Sequence, residues 1–163
     1  MNRLAFIVSF LPLAVVAQAA PMEPTCETMT EMHRLVASDA FGVSTHLVQG
    51  NWVLDQPFAG AEFCIVQAKT EKNGRANVTC SWTTAGETAA RAAFKDTLST
   101  LLSCRPTQRQ RQSPAAPAEN ADATAITMED NGNEAWVVKA KAYAAKPGTW
   151  DLLVTAAVRD VTK

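Results

Sequence analysis

The stretch TWDLLVTAAVRD, Thr149 to Asp160, limits the fold more than any other part of the chain. Trp150, Leu152, Val154, Ala156 and Val158 alternate with Asp151, Thr155 and Arg159. Period-two alternation of this kind specifies a half-buried β-strand. A strand with one apolar and one polar face belongs in an antiparallel sheet that is covered on one side and open on the other. EAWVVKAKAYAA, just upstream, repeats the pattern. Trp136, Val138, Ala140 and Ala142 share its apolar face, while Lys139, Lys141 and Tyr143 share the polar one. AITMED precedes it, and NGN and KPG supply turns, so the last segment is predicted to be a three-strand meander.

Two segments carry the helical period instead. Cys26, Met29, Met32, His33 and Val36 recur at helical spacing behind Thr25, a suitable N-cap, with Glu27 in the first turn and Gly42 suited to the stop. TAGETAARAAFKDTLSTLLSC presents Ala90, Ala93, Phe94, Thr97, Leu98, Leu101 and Cys104 as one stripe. Thr84 and Glu87 fit a capping box, and Pro106 ends the segment.

Between the helices, THLVQGNWVLD reads as a strand interrupted at Gly50, and CIVQAKTEKNGRANVTCSW reads as a hairpin. Its Lys72-Asn73-Gly74 loop, with Gly74 left-handed, pairs Ala68 with Val78, Val66 with Cys80 and Cys64 with Trp82. That register puts all six on one face and brings Glu71 opposite Arg75 beside the turn. A one-residue slip would turn every side chain over. The expected fold is α+β: an antiparallel sheet of five to six strands, order α-β-β-β-α-β-β-β, with two helices packed on one face. NWVLD beside EAWVVKA hints faintly at two similar halves.

The first residues, MNRLAFIVSFLPLAVVAQAA, have the form of a secretory signal peptide over 1–20: Arg3, an apolar run from Leu4 to Val16, and small residues before cleavage at Ala19 or Ala20. The run is short for a membrane span. Residues 21–163 then form a single α+β domain, with a flexible loop at about 105–124, where RPTQRQRQSPAAPAENADAT lacks the hydrophobics to bury itself. The expected location is the bacterial periplasm or the extracellular space. Four cysteines (Cys26, Cys64, Cys80, Cys104) in an exported chain imply two disulfides. The diagonal placement of Cys64 and Cys80 favours Cys26–Cys64 with Cys80–Cys104. Cys26–Cys104 with Cys64–Cys80 is the alternative.

Little in the chain suggests catalysis. The cysteines are too far apart, and too far from His33 and His46, to read as a metal site. The two histidines lie in no nucleophile motif, and no glycine loop for phosphate is present. Paired carboxylates from Glu62, Asp55 or Asp151 remain open, with nothing in the sequence favouring such a pair. NVT at Asn77 forms a glycosylation sequon of a kind that arises by chance. Trp82, Trp136 and Trp150 fall on apolar strand faces, so the tryptophans, Trp52 included, are read as core more than as a stacking site. Fifteen basic and sixteen acidic residues leave a formal charge of −1, without the basic excess of a nucleic-acid reader.

HLVQG, His46 to Gly50, resembles a loosened form of the Q-x-V-x-G hairpin that cystatins wedge into cysteine proteases, and PGTW, Pro147 to Trp150, resembles that family's Pro-Trp second hairpin. His46 stands where the leading Gln would be, and Gly148 and Thr149 separate Pro147 from Trp150, so no inhibitory activity is carried over. The sequence is read as a small exported binding protein, not an enzyme, with no cofactor. It contacts another protein as an inhibitor, immunity or accessory factor. A carrier of a small apolar ligand and a hydrolase with an unrecognised site are the alternatives. Lys139, Lys141 and Tyr143 form the expected partner surface.

Overall fold

The computed structural model describes residues 23–38, 43–68, 75–105, 109–112, 122–130, 134–142 and 146–159. Its elements are α1 (Cys26–Ala37), β1 (Thr45–Val48), β2 (Asn51–Leu54), β3 (Phe63–Gln67), β4 (Arg75–Thr84), α2 (Glu87–Cys104), β5 (Arg109–Gln112), β6 (Asp122–Asp130), β7 (Glu134–Ala142) and β8 (Trp150–Arg159). The strands form one antiparallel sheet in the order β1-β2-β3-β4-β8-β7-β6-β5. Each helix precedes a four-strand meander, and the last strands of the two meanders pair at the sheet's centre. Both helices lie on one face, as the alternation of β7 and β8 requires.

The sheet has eight strands, more than the expected five to six. THLVQGNWVLD is a hairpin, not an interrupted strand. Val48 pairs with Asn51, and Gln49 and Gly50 form the two-residue turn with φ of 48° and 83°. Positive φ at both turn positions matches the right-handed twist of the flanking strands, and Gly50 adopts it without strain. β5 forms within the segment expected as a flexible loop. An edge strand needs only backbone partners on one side, so a polar run such as RQRQ can supply one. The 1–20 leader, Gly42, Glu71 and Pro106 lie outside the described residues.

α1 is capped as expected: Thr25 Oγ1 accepts from the Thr28 N–H at 3.2 Å. Met29, Met32, Leu35 and Val36 are buried along its inner side. The Thr84–Glu87 capping box of α2 does not form. Thr84 closes β4 and donates its hydroxyl to the Trp150 carbonyl at 2.9 Å, while Glu87 bonds Arg91. Gly86, at φ 128°, is the N-cap, and its conformation lets the chain leave β4 for the helix.

α1 packs on β4 and β8, and α2 on β7, β8 and β4. Beneath them Trp136, Leu152, Val154, Val78 and Val138 are fully buried against Met29, Met32, Leu35 and Leu101. Burying such side chains is worth about 1.5–3 kcal/mol each before entropy is counted. Leu54 at the end of β2 joins this core, while the turn end of β1 and β2 is exposed.

The register of β3 on β4 differs from the expected one by two residues: Cys64 faces Cys80, and Val66 faces Val78. Patterning fixes only which face a residue takes, so an even shift keeps the same core and cannot be told apart by hydrophobicity. The cysteine pairing changes with it. Cys64 and Cys80 are bonded, with Cα atoms 4.1 Å apart, and Cys26 is bonded to Cys104. The favoured Cys26–Cys64 and Cys80–Cys104 pairing rested on a diagonal that does not exist. Cys26 opens α1 and Cys104 closes α2, so the second bond joins the start of one helix to the end of the other.

Candidate functional site

Four large hydrophobic side chains stand exposed among the described residues, and three of them sit on the β1–β2 hairpin: Leu47 (60 % exposed), Trp52 (53 %) and Val48 (43 %). The fourth, Leu102, lies on α2. Leu47 and Trp52 are register partners on the helix-bearing face, and Val48 points to the other face. The hairpin is therefore apolar on both sides. Its two strands are joined by the tight turn, in which Gln49 holds a left-handed conformation that costs a non-glycine side chain about 1 kcal/mol or more.

Beside this hairpin lies a groove of about 460 Å³ lined by Leu35, Val43, Leu54 and Phe58, with Glu31 and Asp55 among its polar groups. A second groove, about 630 Å³, continues along the start of α1 past Phe58 and Ala59. The Trp82 indole donates to the Ala59 carbonyl at 3.3 Å, which fixes this segment to β4. At the rim, His46 Nδ1 lies 2.6 Å from Asp55 Oδ1, and Ser44 donates its hydroxyl to the same carboxylate. These bonds hold the Asp55 carboxyl below the usual range, Ser44 contributing most. Ser44 bonds the carboxylate and not the imidazole, so the trio lacks the activated hydroxyl of a serine hydrolase.

Two of the three carboxylates singled out in the sequence do meet. Glu62, ahead of β3, and Asp151, at the start of β8, converge on Thr83 of β4. Thr83 Oγ1 donates to Glu62 and lies 3.3 Å from Asp151 Oδ1, and Lys146 Nζ lies 3.4 Å from Glu62. The Thr83 bond keeps Glu62 below its ordinary value. Asp151 is only 3 % exposed, and burial raises its carboxyl, aided by the Glu62 charge and opposed by Thr83, Lys141 and Ser81. The two carboxyls are therefore shifted in opposite directions. Neither carboxylate lines either groove. Sequence could suggest this pair only as one combination among several, because Glu62, Thr83 and Asp151 come from three separate segments.

The expected surface residues Lys139 and Lys141 lie half-buried on the face away from the helices, and Lys141 stands opposite Asp151. Tyr143 is outside the described residues. His33 lies on α1, outside both grooves. The two segments that resemble cystatin hairpins lie at opposite ends of the sheet. β1, β3 and β8 run in the same direction, which places the Gln49–Gly50 turn at one end and Pro147–Thr149 at the other.

Among the described residues no group of three or more His, Cys, Asp and Glu side chains could hold a metal, and no helix is long and apolar enough to cross a membrane. Compared with known proteins, the chain matches no family profile, no curated protein and no solved structure.

Proposed function

We propose that this is a disulfide-stabilised exported binding protein that contacts another protein through the β1–β2 hairpin. The concentration of exposed apolar side chains at Leu47, Val48 and Trp52 carries this reading. Aromatic anchors surrounded by a polar rim are what protein interfaces are built on, and a Trp at the centre of one is a common hot spot. The tight turn supports the reading further, because a preorganised loop loses little entropy on binding. Two disulfides suit an oxidising compartment. The carrier reading has weaker support, since the space between helices and sheet is filled by Trp136, Met29, Met32 and Leu101.

Affinity capture from the native envelope or medium tests the reading, with the protein and its Leu47→Ser/Trp52→Ser variant as parallel baits. One protein retained by the first and lost from the second, at unchanged Tm, is the expected result. Recovery of a small molecule alone, or equal capture by both baits, overturns it.

A further inference from the structure

Among the described residues the sheet has two unpaired edges, and they are built differently. β5, at one edge, reads RQRQ and pairs with β6 alone. Charged side chains on an edge strand discourage another strand from adding to it. β1, at the other edge, reads THLV and pairs with β2 alone. It has no Lys, Arg, Asp, Glu, Pro or Gly, and its residues are β-branched or apolar apart from His46. Its only protection is its shortness, four residues; it carries no charged side chain and no proline.

The backbone of β1 shows what the edge offers. The Asp55 N–H bonds the Ser44 carbonyl at 3.0 Å. Antiparallel ladders alternate, so His46 and Val48 also bond toward β2. Thr45 and Leu47 therefore direct their N–H and C=O groups outward, giving two donors and two acceptors in a row. Leu47 adds an exposed apolar side chain on one face of this edge, and Val48 adds one on the other. The groove lined by Val43, Leu54 and Phe58 begins at the N-terminal end of the same strand.

We propose that the outer edge of β1 accepts an extended segment of a partner protein as a ninth strand, whose continuation enters the groove beside Val43 and Phe58. This rests on the protein-binding reading and specifies its mode: backbone hydrogen bonds to Thr45 and Leu47 supply the common affinity, and alternate side chains beside Leu47 and Val48 supply selectivity. A second copy of this chain fits the site less well. In a symmetric β1–β1 pair the neighbouring strand turns back at its own Gln49–Gly50, just where the groove begins, and leaves the groove unfilled.

The test separates strand addition from apolar contact. Leu47→Pro removes the outward N–H yet keeps the bonds of His46 and Val48 to β2, a position where an edge strand tolerates proline. Leu47→Ala removes the side chain and keeps the N–H. The probe is an octapeptide of alternating valine and threonine with a lysine at each end, acetylated and amidated, titrated into 15N-labelled protein. The expected result is shifts confined to Thr45–Val48 and the groove, with slower exchange of the Thr45 and Leu47 amides. Leu47→Pro should weaken binding at least about tenfold more than Leu47→Ala, the loss expected for a missing backbone bond with its partner left unpaired. Should Leu47→Pro fail to fold, Thr45→Pro against Thr45→Ala makes the same comparison. Equal loss in the proline and alanine variants overturns strand addition while leaving a partner held by apolar contact. No binding of the peptide overturns it as well, and a concentration-dependent dimer at β1 replaces the partner by a second copy. The capture experiment with Leu47→Ser/Trp52→Ser decides the underlying reading separately.

Discussion

Trp52 and Trp136 belong to one cross-strand row on the helix-bearing face of the sheet, running Trp52, Val66, Val78, Ala156, Trp136. Trp136 is fully buried, and Trp52 is 53 % exposed. Residue type, strand position and facing are the same. The difference is the cover: α2 packs on β7, whereas Leu47 and Trp52, at the turn end of β1 and β2, stand exposed. A protein that stops its helices short of an edge, and then places Trp and Leu on that edge, has an apolar surface that folding alone does not use. The helix-covered centre is packed for stability, and the β1–β2 wing leaves its large apolar side chains in solvent.

Removing the bond between the helices should give the largest change. Cys26→Ser/Cys104→Ser opens a loop of 78 residues, and the chain-entropy relation gives a loss of about 4.5 kcal/mol by chemical denaturation. Trp136→Ala should cost about 4 kcal/mol as a core truncation. Trp52→Ala, by contrast, should stay within about 0.5 kcal/mol, and equal costs for the two tryptophans would break the comparison. Cys64→Ser/Cys80→Ser opens only 16 residues, for about 3 kcal/mol. Because this bond lies where the wing joins the centre, its loss should speed amide exchange in β1, β2 and β3 more than in β7.

Asp151→Asn should raise Tm at neutral pH by a few degrees. The folded state raises this carboxyl above its ordinary value, so the folded protein holds the proton more tightly than the unfolded chain. Its contribution to stability is most favourable below the ordinary aspartate value and falls as pH rises through the raised one. The gain from Asn should therefore vanish near about pH 3, where both states are protonated. Glu62 has the opposite sign: its lowered value stabilises above the ordinary glutamate range, and that stabilisation is lost as pH falls through the lowered value. The smallest effect is expected in the wing's turn, where Gln49→Asn should stabilise by about 0.5–1 kcal/mol by easing the left-handed residue.

The sheet-and-helix class followed from particular residues. Trp150 to Val158 alternates so regularly that one covered and one open face were required, and Ala90 to Leu101 named the helix that covers. The site was less accessible. Leu47, Val48 and Trp52 look like ordinary strand hydrophobics in the sequence, and nothing in their spacing says that no helix reaches them. Glu62 and Asp151 stood out as acids, but their meeting at Thr83 depends on the pairing of β4 with β8, two strands far apart in the chain.

The sequence by itself determined the α+β class, the two helices, and which face each residue of β3, β4, β7 and β8 takes. These follow from local periodicity, a property of neighbours in the chain. Only the tertiary structure decided the register of β3 on β4, the Cys26–Cys104 and Cys64–Cys80 bonds, the two unequal edges and the exposure of the hairpin. Register can shift by two without disturbing the apolar pattern. Which strands lie under a helix depends on how the helices pack on the sheet, and that packing is set by contacts between segments far apart in sequence.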